Sequence, residues 1–207
     1  MKELKVTLID TKKELAECWN KEFKGYDVTI ESGDIFKIKA DAIVSPANST
    51  GIMDGGFDFY LRDFFGLEIE REVRVKIYGE YDGDMPVGAA FATFTGNNHY
   101  PYLITAPTMR VPGNVSNSLN AYLAMCAILR VSLKHPKIAS IVSTGLCSLS
   151  GKMPLPVVAR QMKAAYERVV LKKYFFPHWI YETHFDRYLR CEINEVPDPN
   201  LYEGKRV

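Results

Sequence analysis

The stretch Asp41-Ala42-Ile43-Val44-Ser45-Pro46-Ala47-Asn48-Ser49 joins a short apolar run to a loop of small and polar residues. An uninterrupted apolar run is typical of a strand that is buried on both faces at the centre of a parallel sheet. The run is too short for a helix, which usually needs about ten residues or more. The stretch therefore predicts a central strand whose carboxyl end opens into a loop over 45–56.

A second part of the chain has the same organisation. An apolar run over 138–142 is followed by the small-residue loop 143–151. In open α/β sheets, ligands bind outside the carboxyl ends of the strands, where neighbouring connections diverge to opposite faces. The loops 45–56 and 143–151 are therefore candidates for the two walls of one ligand crevice.

In the rest of the chain, segments whose apolar residues have the spacing of a strand alternate with segments that have the spacing of a helix. Further strands are expected over 4–9, 26–31, 88–95, 100–106 and near 178–182. Helices are expected from residue 11 to Phe23, where Thr11 and Glu14 fit a capping box, and over 57–65, 67–79, 117–134, 155–173 and near 184–190. This order predicts an α/β fold with three layers, α/β/α, around a central mixed and mostly parallel sheet.

Composition excludes several functional classes. The chain carries 26 basic and 25 acidic residues, a net charge of +1, which is not the positive excess of a nucleic-acid-binding protein. Neither a signal peptide nor an apolar stretch of about 18 residues is visible, so we expect a cytoplasmic protein without a membrane segment. The four cysteines lie far apart and the four histidines form no cluster. We therefore expect no disulfide framework, no metal and no cofactor.

The common nucleotide-binding and hydrolase motifs do not fit. Gly145 to Lys152 superficially suggests a P-loop, but five residues instead of four separate Gly145 from Gly151, and Met153 replaces the required Ser or Thr. The sequence also contains no GxGxxG, HExxH or GxSxG motif. Dehydrogenases of the common type, zinc proteases and esterases are thereby disfavoured.

The composition of the two loops suits the binding of a phosphate group. Glycine and serine let the backbone approach a ligand closely, and backbone N–H groups can point at anionic oxygens. The amino end of a following helix adds partial positive charge. The loops could therefore hold a diphosphate without lysine or arginine, although loops of this composition are also common as plain turns.

Several motifs, taken in order, resemble the macro domain family. They are Gly33-Asp34-Ile35, then the stretch 41–49, then Gly55-Gly56-Phe57-Asp58, and later 143–147 followed by Pro154; the similarity spans about 26–182. The resemblance implies a macro domain fold over residues 1–190, with a C-terminal tail over 191–207. It also implies ADP-ribose, or a substrate that carries ADP-ribose, as the binding partner.

The resemblance also implies a role for each matching residue. Asp34 would accept a hydrogen bond from the adenine amino group, Ile35 would pack beside the base, and Asn48 would contact the distal ribose. The remaining implied ligand-binding residues are Gly55, Gly56 and Phe57 on one side, Ser143, Thr144, Gly145, Leu146 and Cys147 on the other, and Tyr181, expected after the last strand, on the adenine. Simpler alternatives remain: Asp34 can be a turn residue, Asn48 can bond its own loop, and Tyr181 can belong to the core.

Asp58 separates an enzyme from a binding module. It aligns with an aspartate of the hydrolytic macro domains, which implies that Asp58 and Asn48 are catalytic and that an ADP-ribosyl ester, O-acetyl-ADP-ribose or ADP-ribose-1″-phosphate is hydrolysed. An aspartate in the first turn of a helix is also favourable for ordinary electrostatic reasons. Ser45-Pro46 replaces the usual Asn-Ala of the family. The alternatives are therefore a non-catalytic ADP-ribose-binding module and a structural or assembly protein that kept the fold.

Overall fold

The computed structural model describes residues 3–198 and shows an α/β fold. Its elements are the strands β1 (Lys5–Asp10), β2 (Thr29–Ser32), β3 (Ala42–Ser45), β4 (Phe91–Phe94), β5 (Tyr102–Thr105) and β6 (Ser140–Ser143), and the helices α1 (Lys13–Glu22), α2 (Gly56–Phe65), α3 (Glu68–Tyr81), α4 (Asn120–Lys134), α5 (Leu155–Val169) and α6 (Trp179–Leu189). A short 3₁₀ helix spans Ile35–Lys37.

The strands form one sheet in the order β2-β1-β6-β3-β5-β4. All neighbouring pairs are parallel except β4 with β5, which is antiparallel. The predicted mixed, mostly parallel sheet is therefore confirmed. β3 and β6, the strands expected from the two apolar runs, are direct neighbours near the centre of the sheet.

The sheet separates two apolar cores. Side chains of a parallel strand alternate between its faces. On β3, Val44 faces the core formed with α1, α4 and α5, whereas Ile43 faces the core formed with α2 and α3. Helices thus cover both faces, which confirms the three-layer prediction. The alternation also decides which helix each polar side chain at a strand end can reach.

The predicted capping box at the start of α1 does not form. The N-cap residue is Lys12, not Thr11, and no side chain caps the helix. The backbone N–H of Lys12 instead donates to Oδ1 of Asp10 at 3.0 Å. The prediction was wrong because the chain leaves β1 through a turn held by Asp10, which moves the start of the helix beyond the Thr11–Glu14 register.

The predicted strand near 178–182 is also wrong. These residues begin α6, where the His178 ring caps the helix by accepting the N–H of Ile180 at 3.3 Å. The buried side chains Tyr181, Phe185, Tyr188 and Leu189 follow a helical spacing. Aromatic residues favour strands in isolation, but packing of this face against α5 decides the structure.

The end of the chain follows α6. The predicted tail over 191–207 begins two residues after Leu189, and its residues 199–207 lie outside the described part of the structure. Ile193 packs against the larger core, and its carbonyl accepts a hydrogen bond from Arg160 at 3.2 Å. Within residues 3–198, no helix has the length and apolar character needed to cross a membrane.

Candidate functional site

A cavity lies at the carboxyl ends of β3 and β6. It has a volume of about 150 Å³ and is partly open to solvent. Three segments form its walls: the loop after β3 with the start of α2, the loop after β5, and the loop after β6. The lining residues are Pro46, Ala47, Asn48, Ile52, Asp54, Gly55, Gly56, Phe57 and Asp58, then Thr108, Met109 and Pro112, then Thr144, Gly145, Cys147, Ser148, Leu149, Ser150 and Gly151.

The amino end of α2 forms one wall. Gly55 is the N-cap and has no side chain to bond the first N–H groups of the helix. Gly56 has a φ of 59°, a left-handed conformation that glycine adopts without strain. The first N–H groups of a helix have no intrahelical partner and carry partial positive charge. This wall therefore presents backbone donors that suit an anionic ligand.

The loop after β6 forms the facing wall. The N–H groups of Leu146, Cys147 and Ser148 donate to no acceptor among residues 3–198. Cys147 has a φ of 65°, and a left-handed residue in such a turn can bring successive N–H groups together around an anion. A Cβ at Gly145 would lie 2.3 Å from Cδ2 of the buried Leu15, so any larger residue there would displace that side chain. The loop thus presents a second set of backbone donors.

Asp10 holds the base of that loop, a role that the sequence did not indicate. Its Oδ2 accepts hydrogen bonds from the Thr144 hydroxyl at 2.6 Å and the Gly145 N–H at 3.3 Å. Its Oδ1 accepts the N–H of Lys12. The signal available was an acidic residue at the carboxyl end of β1, but only the pairing of β1 with β6 shows what it reaches.

Asp58 is a buried carboxylate on the cavity wall. It lies in the first turn of α2 and is 6% exposed. The Ser45 hydroxyl at the end of β3 donates to Oδ1 of Asp58 at 2.7 Å. Burial raises the pKa of Asp58 to about 6; the Ser45 hydrogen bond opposes this rise, and the charge of Glu70 adds to it. At neutral pH the group is mostly ionised and can still accept a proton.

Asn48 lines the cavity but bonds its own loop. Its Oδ1 accepts hydrogen bonds from the N–H and the hydroxyl of Thr50, at 3.1 and 2.8 Å, and from the N–H of Ile52 at 3.3 Å. Its Nδ2 donates to the Ile52 carbonyl at 2.7 Å. The alternative that Asn48 holds the loop together is therefore observed, and one hydrogen of Nδ2 remains for a ligand.

Five of the predicted site residues lie away from the described lining of the cavity. Asp34 caps the 3₁₀ helix by accepting the Phe36 N–H at 3.0 Å, and Ile35 belongs to the smaller core. Ser143 donates to the carbonyl of Thr144. Leu146 is fully buried in the larger core, and Tyr181 is buried on α6, where it stacks on Phe176. Their predicted ligand contacts stay predictions.

The described lining contains no lysine, arginine or histidine. Its ionisable side chains are Asp54, Asp58 and Cys147, and burial raises the pKa of the Cys147 thiol to about 12, so the thiol is neutral. Among residues 3–198 no group of three or more His, Cys, Asp or Glu side chains converges as a metal site would require. Any anion bound by these residues is therefore held by backbone N–H groups and neutral polar side chains.

Comparison with known proteins gives one family. The sequence model of the macro domain matches residues 44–162. An uncharacterised protein of Aquifex aeolicus is 36% identical over 137 residues, which are 66% of this chain and 78% of that protein. One of Aeropyrum pernix is 33% identical over 138 residues, which are 67% of this chain and 69% of that protein.

Solved structures show the same fold. The macrodomain of Mycobacterium tuberculosis DarG superposes with a TM-score of 0.58 at 20% identity, covering 67% of this chain and 88% of that one. The Oceanobacillus iheyensis macrodomain, solved with ADP, gives a TM-score of 0.57 at 21% identity and covers 68% of this chain and 75% of that one.

Proposed function

Because this chain belongs to the macro domain family, we propose that it binds ADP-ribose or a derivative in the cavity between α2 and the loop after β6, and hydrolyses an ADP-ribosyl linkage there. The candidate substrates are an ADP-ribosyl ester on a protein, O-acetyl-ADP-ribose and ADP-ribose-1″-phosphate. A related macrodomain has been solved with ADP, which contains the same diphosphate and supports the choice of ligand.

One observation carries the binding proposal: the amino end of α2 and the loop after β6, which both have unbonded backbone N–H groups, line the same cavity. The uncapped amino end of α2 lies on one wall, and Cys147 and Ser148, whose N–H groups are unbonded, line the other. A diphosphate between them would receive hydrogen bonds from both sides, together with the favourable end of the helix dipole. This arrangement needs no basic side chain, in agreement with the composition of the described lining.

Asp58 supplies the chemistry in this proposal. Its carboxylate takes a proton from a water molecule as the water oxygen bonds to the anomeric carbon of the distal ribose or, in O-acetyl-ADP-ribose, to the acetyl carbonyl carbon. The bond from that carbon to the leaving oxygen breaks and its electron pair stays on that oxygen. A carboxylate or a phosphate departs from the anomeric carbon, or acetate forms from the acetyl group, and ADP-ribose is released as Asp58 returns its proton to the leaving oxygen or to solvent. A positioned base of this kind contributes a rate factor of roughly 10²–10⁴. The pKa of about 6 keeps the carboxylate available at neutral pH.

The experiment pairs calorimetry with an activity assay on the same preparation. Titration with ADP-ribose should show binding at one site, and incubation with an ADP-ribosylated acidic peptide should release ADP-ribose. Failure to bind ADP-ribose, ADP and NAD would contradict the whole proposal. Binding without product would contradict only the hydrolytic part.

A non-catalytic binding module is the second candidate, and one contact favours it. Asn48, which the family resemblance assigns to the distal ribose, uses its carbonyl oxygen and one amide hydrogen within its own loop. A ribose hydroxyl would receive at most one hydrogen bond from this side chain. If Asn48 serves only to shape the loop, the cavity would bind the diphosphate without orienting the anomeric carbon for attack.

We also propose that residues 1–190 act as one domain in the cytosol. The last helix, α6, packs on α5 and so contributes to the larger core. All four cysteines are free, which fits a reducing compartment.

A further inference from the structure

We propose that Ser45 is a positioning residue, which holds the Asp58 carboxylate in the orientation needed to activate water. This inference rests on the proposed hydrolysis and assigns a role to a residue at which the chain departs from the family motif. The evidence is the hydrogen bond of 2.7 Å from the Ser45 hydroxyl to Oδ1 of Asp58. Both residues are buried, at 1% and 6% exposure.

The register of the sheet explains why Ser45 reaches α2. Side chains alternate along β3, so Ser45 lies on the same face as Ile43, which packs into the smaller core. Leu61 of α2 belongs to that core as well. The Ser45 hydroxyl therefore points towards α2, whose first turn brings Asp58 above the end of the strand.

The hydrogen bond from Ser45 makes the two oxygens of the Asp58 carboxylate different. Oδ1 is occupied by Ser45, and Oδ2 receives no hydrogen bond from residues 3–198. Because Asp58 also lines the cavity, Oδ2 is the oxygen that faces a water molecule in the proposed reaction. Without the Ser45 hydroxyl, the carboxylate is free to rotate, and neither oxygen is held towards the water molecule.

Two further acidic residues lie on or beside the wall that carries Asp58. Glu70 of α3 acts on Asp58 from the neighbouring helix, and it is itself paired with Arg62 at 3.0 Å. Asp54 lies on the same cavity wall. None of these groups is changed when Ser45 is replaced, so a difference at Asp58 can be assigned to the lost hydroxyl.

The structure provides a matched control at Thr105. Thr105 is the register partner of Ser45 on β5 and lies on the same face of the sheet. Its hydroxyl is buried and has no hydrogen-bond partner among the described residues. Thr105→Val therefore removes a neighbouring buried hydroxyl without removing a bond to Asp58.

The test is the titration of the Asp58 carboxyl by carbon-13 NMR, with Asp58→Asn used for assignment. Hydrogen bonding to the charged form lowers a carboxyl pKa. Ser45→Ala should therefore raise the pKa of Asp58 further, by about one unit, and Ser45→Cys, whose thiol is a weak donor, should raise it by less. Thr105→Val should leave it unchanged. Thermal unfolding shows that each variant is folded.

The kinetic readout follows from the same contact. In Ser45→Ala the acidic limb of the pH–rate profile should move to higher pH by the same shift, and kcat should fall about tenfold. The Kd for ADP-ribose should stay within about twofold, because the diphosphate contacts are backbone donors. The same pKa of Asp58 in wild type and in Ser45→Ala would contradict the hydrogen bond between the two residues. If the wild-type protein binds ADP-ribose but releases none from a substrate, the catalytic role is overturned. The titration of Asp58 still tests the hydrogen bond from Ser45.

Discussion

The Asp10 carboxylate accepts the hydroxyl of Thr144 at 2.6 Å, although 134 residues separate the two in the chain. This bond joins the end of β1 to the loop after β6, and the Gly145 N–H adds a second bond to the same oxygen. Asp10 therefore fixes the base of the loop whose following residues Cys147 and Ser148 line the cavity. Asp10 thus contributes to the site by holding this loop, without contacting the ligand itself.

Replacement of Asp10 by alanine should weaken ligand binding through the loop. Hydrogen bonds to a charged group contribute about 1.5–3 kcal/mol each, so the loop should loosen and the Kd for ADP-ribose should rise about tenfold. Calorimetry measures the change. Glu17→Ala, an exposed acidic residue on α1, removes the same charge without touching the loop and should bind as wild type does. Equal affinities for both variants would show that Asp10 does not position the loop.

Replacement of Asp58 by asparagine should separate binding from catalysis. The amide cannot accept the proton of water, so release of ADP-ribose should fall by a factor of at least roughly 10². The Kd for ADP-ribose should change little, since the backbone donors remain. Asp63→Asn, at an exposed position of the same helix, is the control for the loss of a charge from α2. Turnover by Asp58→Asn at the wild-type rate would remove the assigned role.

The pH dependence of stability should report the burial of Asp58. Its pKa in the folded protein is raised from 3.8 to about 6, so the folded state binds more protons than the unfolded state between these values. The associated stability is fully present below pH 3.8 and is lost as the pH rises through about 6. The loss is on the order of 2–3 kcal/mol.

Asp58→Asn should therefore remove this part of the pH dependence. Urea unfolding of wild type and variant at pH 4 and pH 7.5 gives the comparison. The free energy of unfolding of Asp58→Asn should exceed that of wild type at pH 7.5 but not at pH 4. If the difference between the two proteins is the same at both pH values, the carboxyl does not titrate as described.

The two glycines at the start of α2 should respond differently to alanine. Gly56 has a φ of 59°, where an L side chain costs roughly 1–2 kcal/mol. Gly55 has a φ of −156°, and a Cβ there meets no atom within 4 Å. Gly56→Ala should therefore lower the free energy of unfolding by about 1–2 kcal/mol, and Gly55→Ala should leave it nearly unchanged. Equal unfolding midpoints for the two variants would show that the left-handed turn is not required.

Much of the fold follows from local features that can be seen in the sequence. The apolar runs before the two small-residue loops predict β3 and β6, because a short run buried on both faces suits only a central strand. The end of the chain did not follow from local features. The aromatic residues over 179–185 favour strands by propensity, but packing against α5 makes them a helix.

The candidate site was visible only in part. The sequence left two interpretations of Asn48 open, and the structure shows the bonds within its own loop. Ser45 is recognisable in the sequence as a departure from the family motif, but the sequence does not identify its partner. The two residues lie 13 positions apart, and their contact depends on the turn between β3 and α2.

The sequence by itself determined the α/β class, the two strand–loop segments and the absence of basic residues in them, since each depends on residues that are neighbours in the chain. Only the tertiary structure decided which side chains meet: Asp10 with Thr144, and Ser45 with Asp58. The physical reason is that a hydrogen bond needs its atoms about 3 Å apart. Only the strand register and the packing of helices on each face bring distant residues that close.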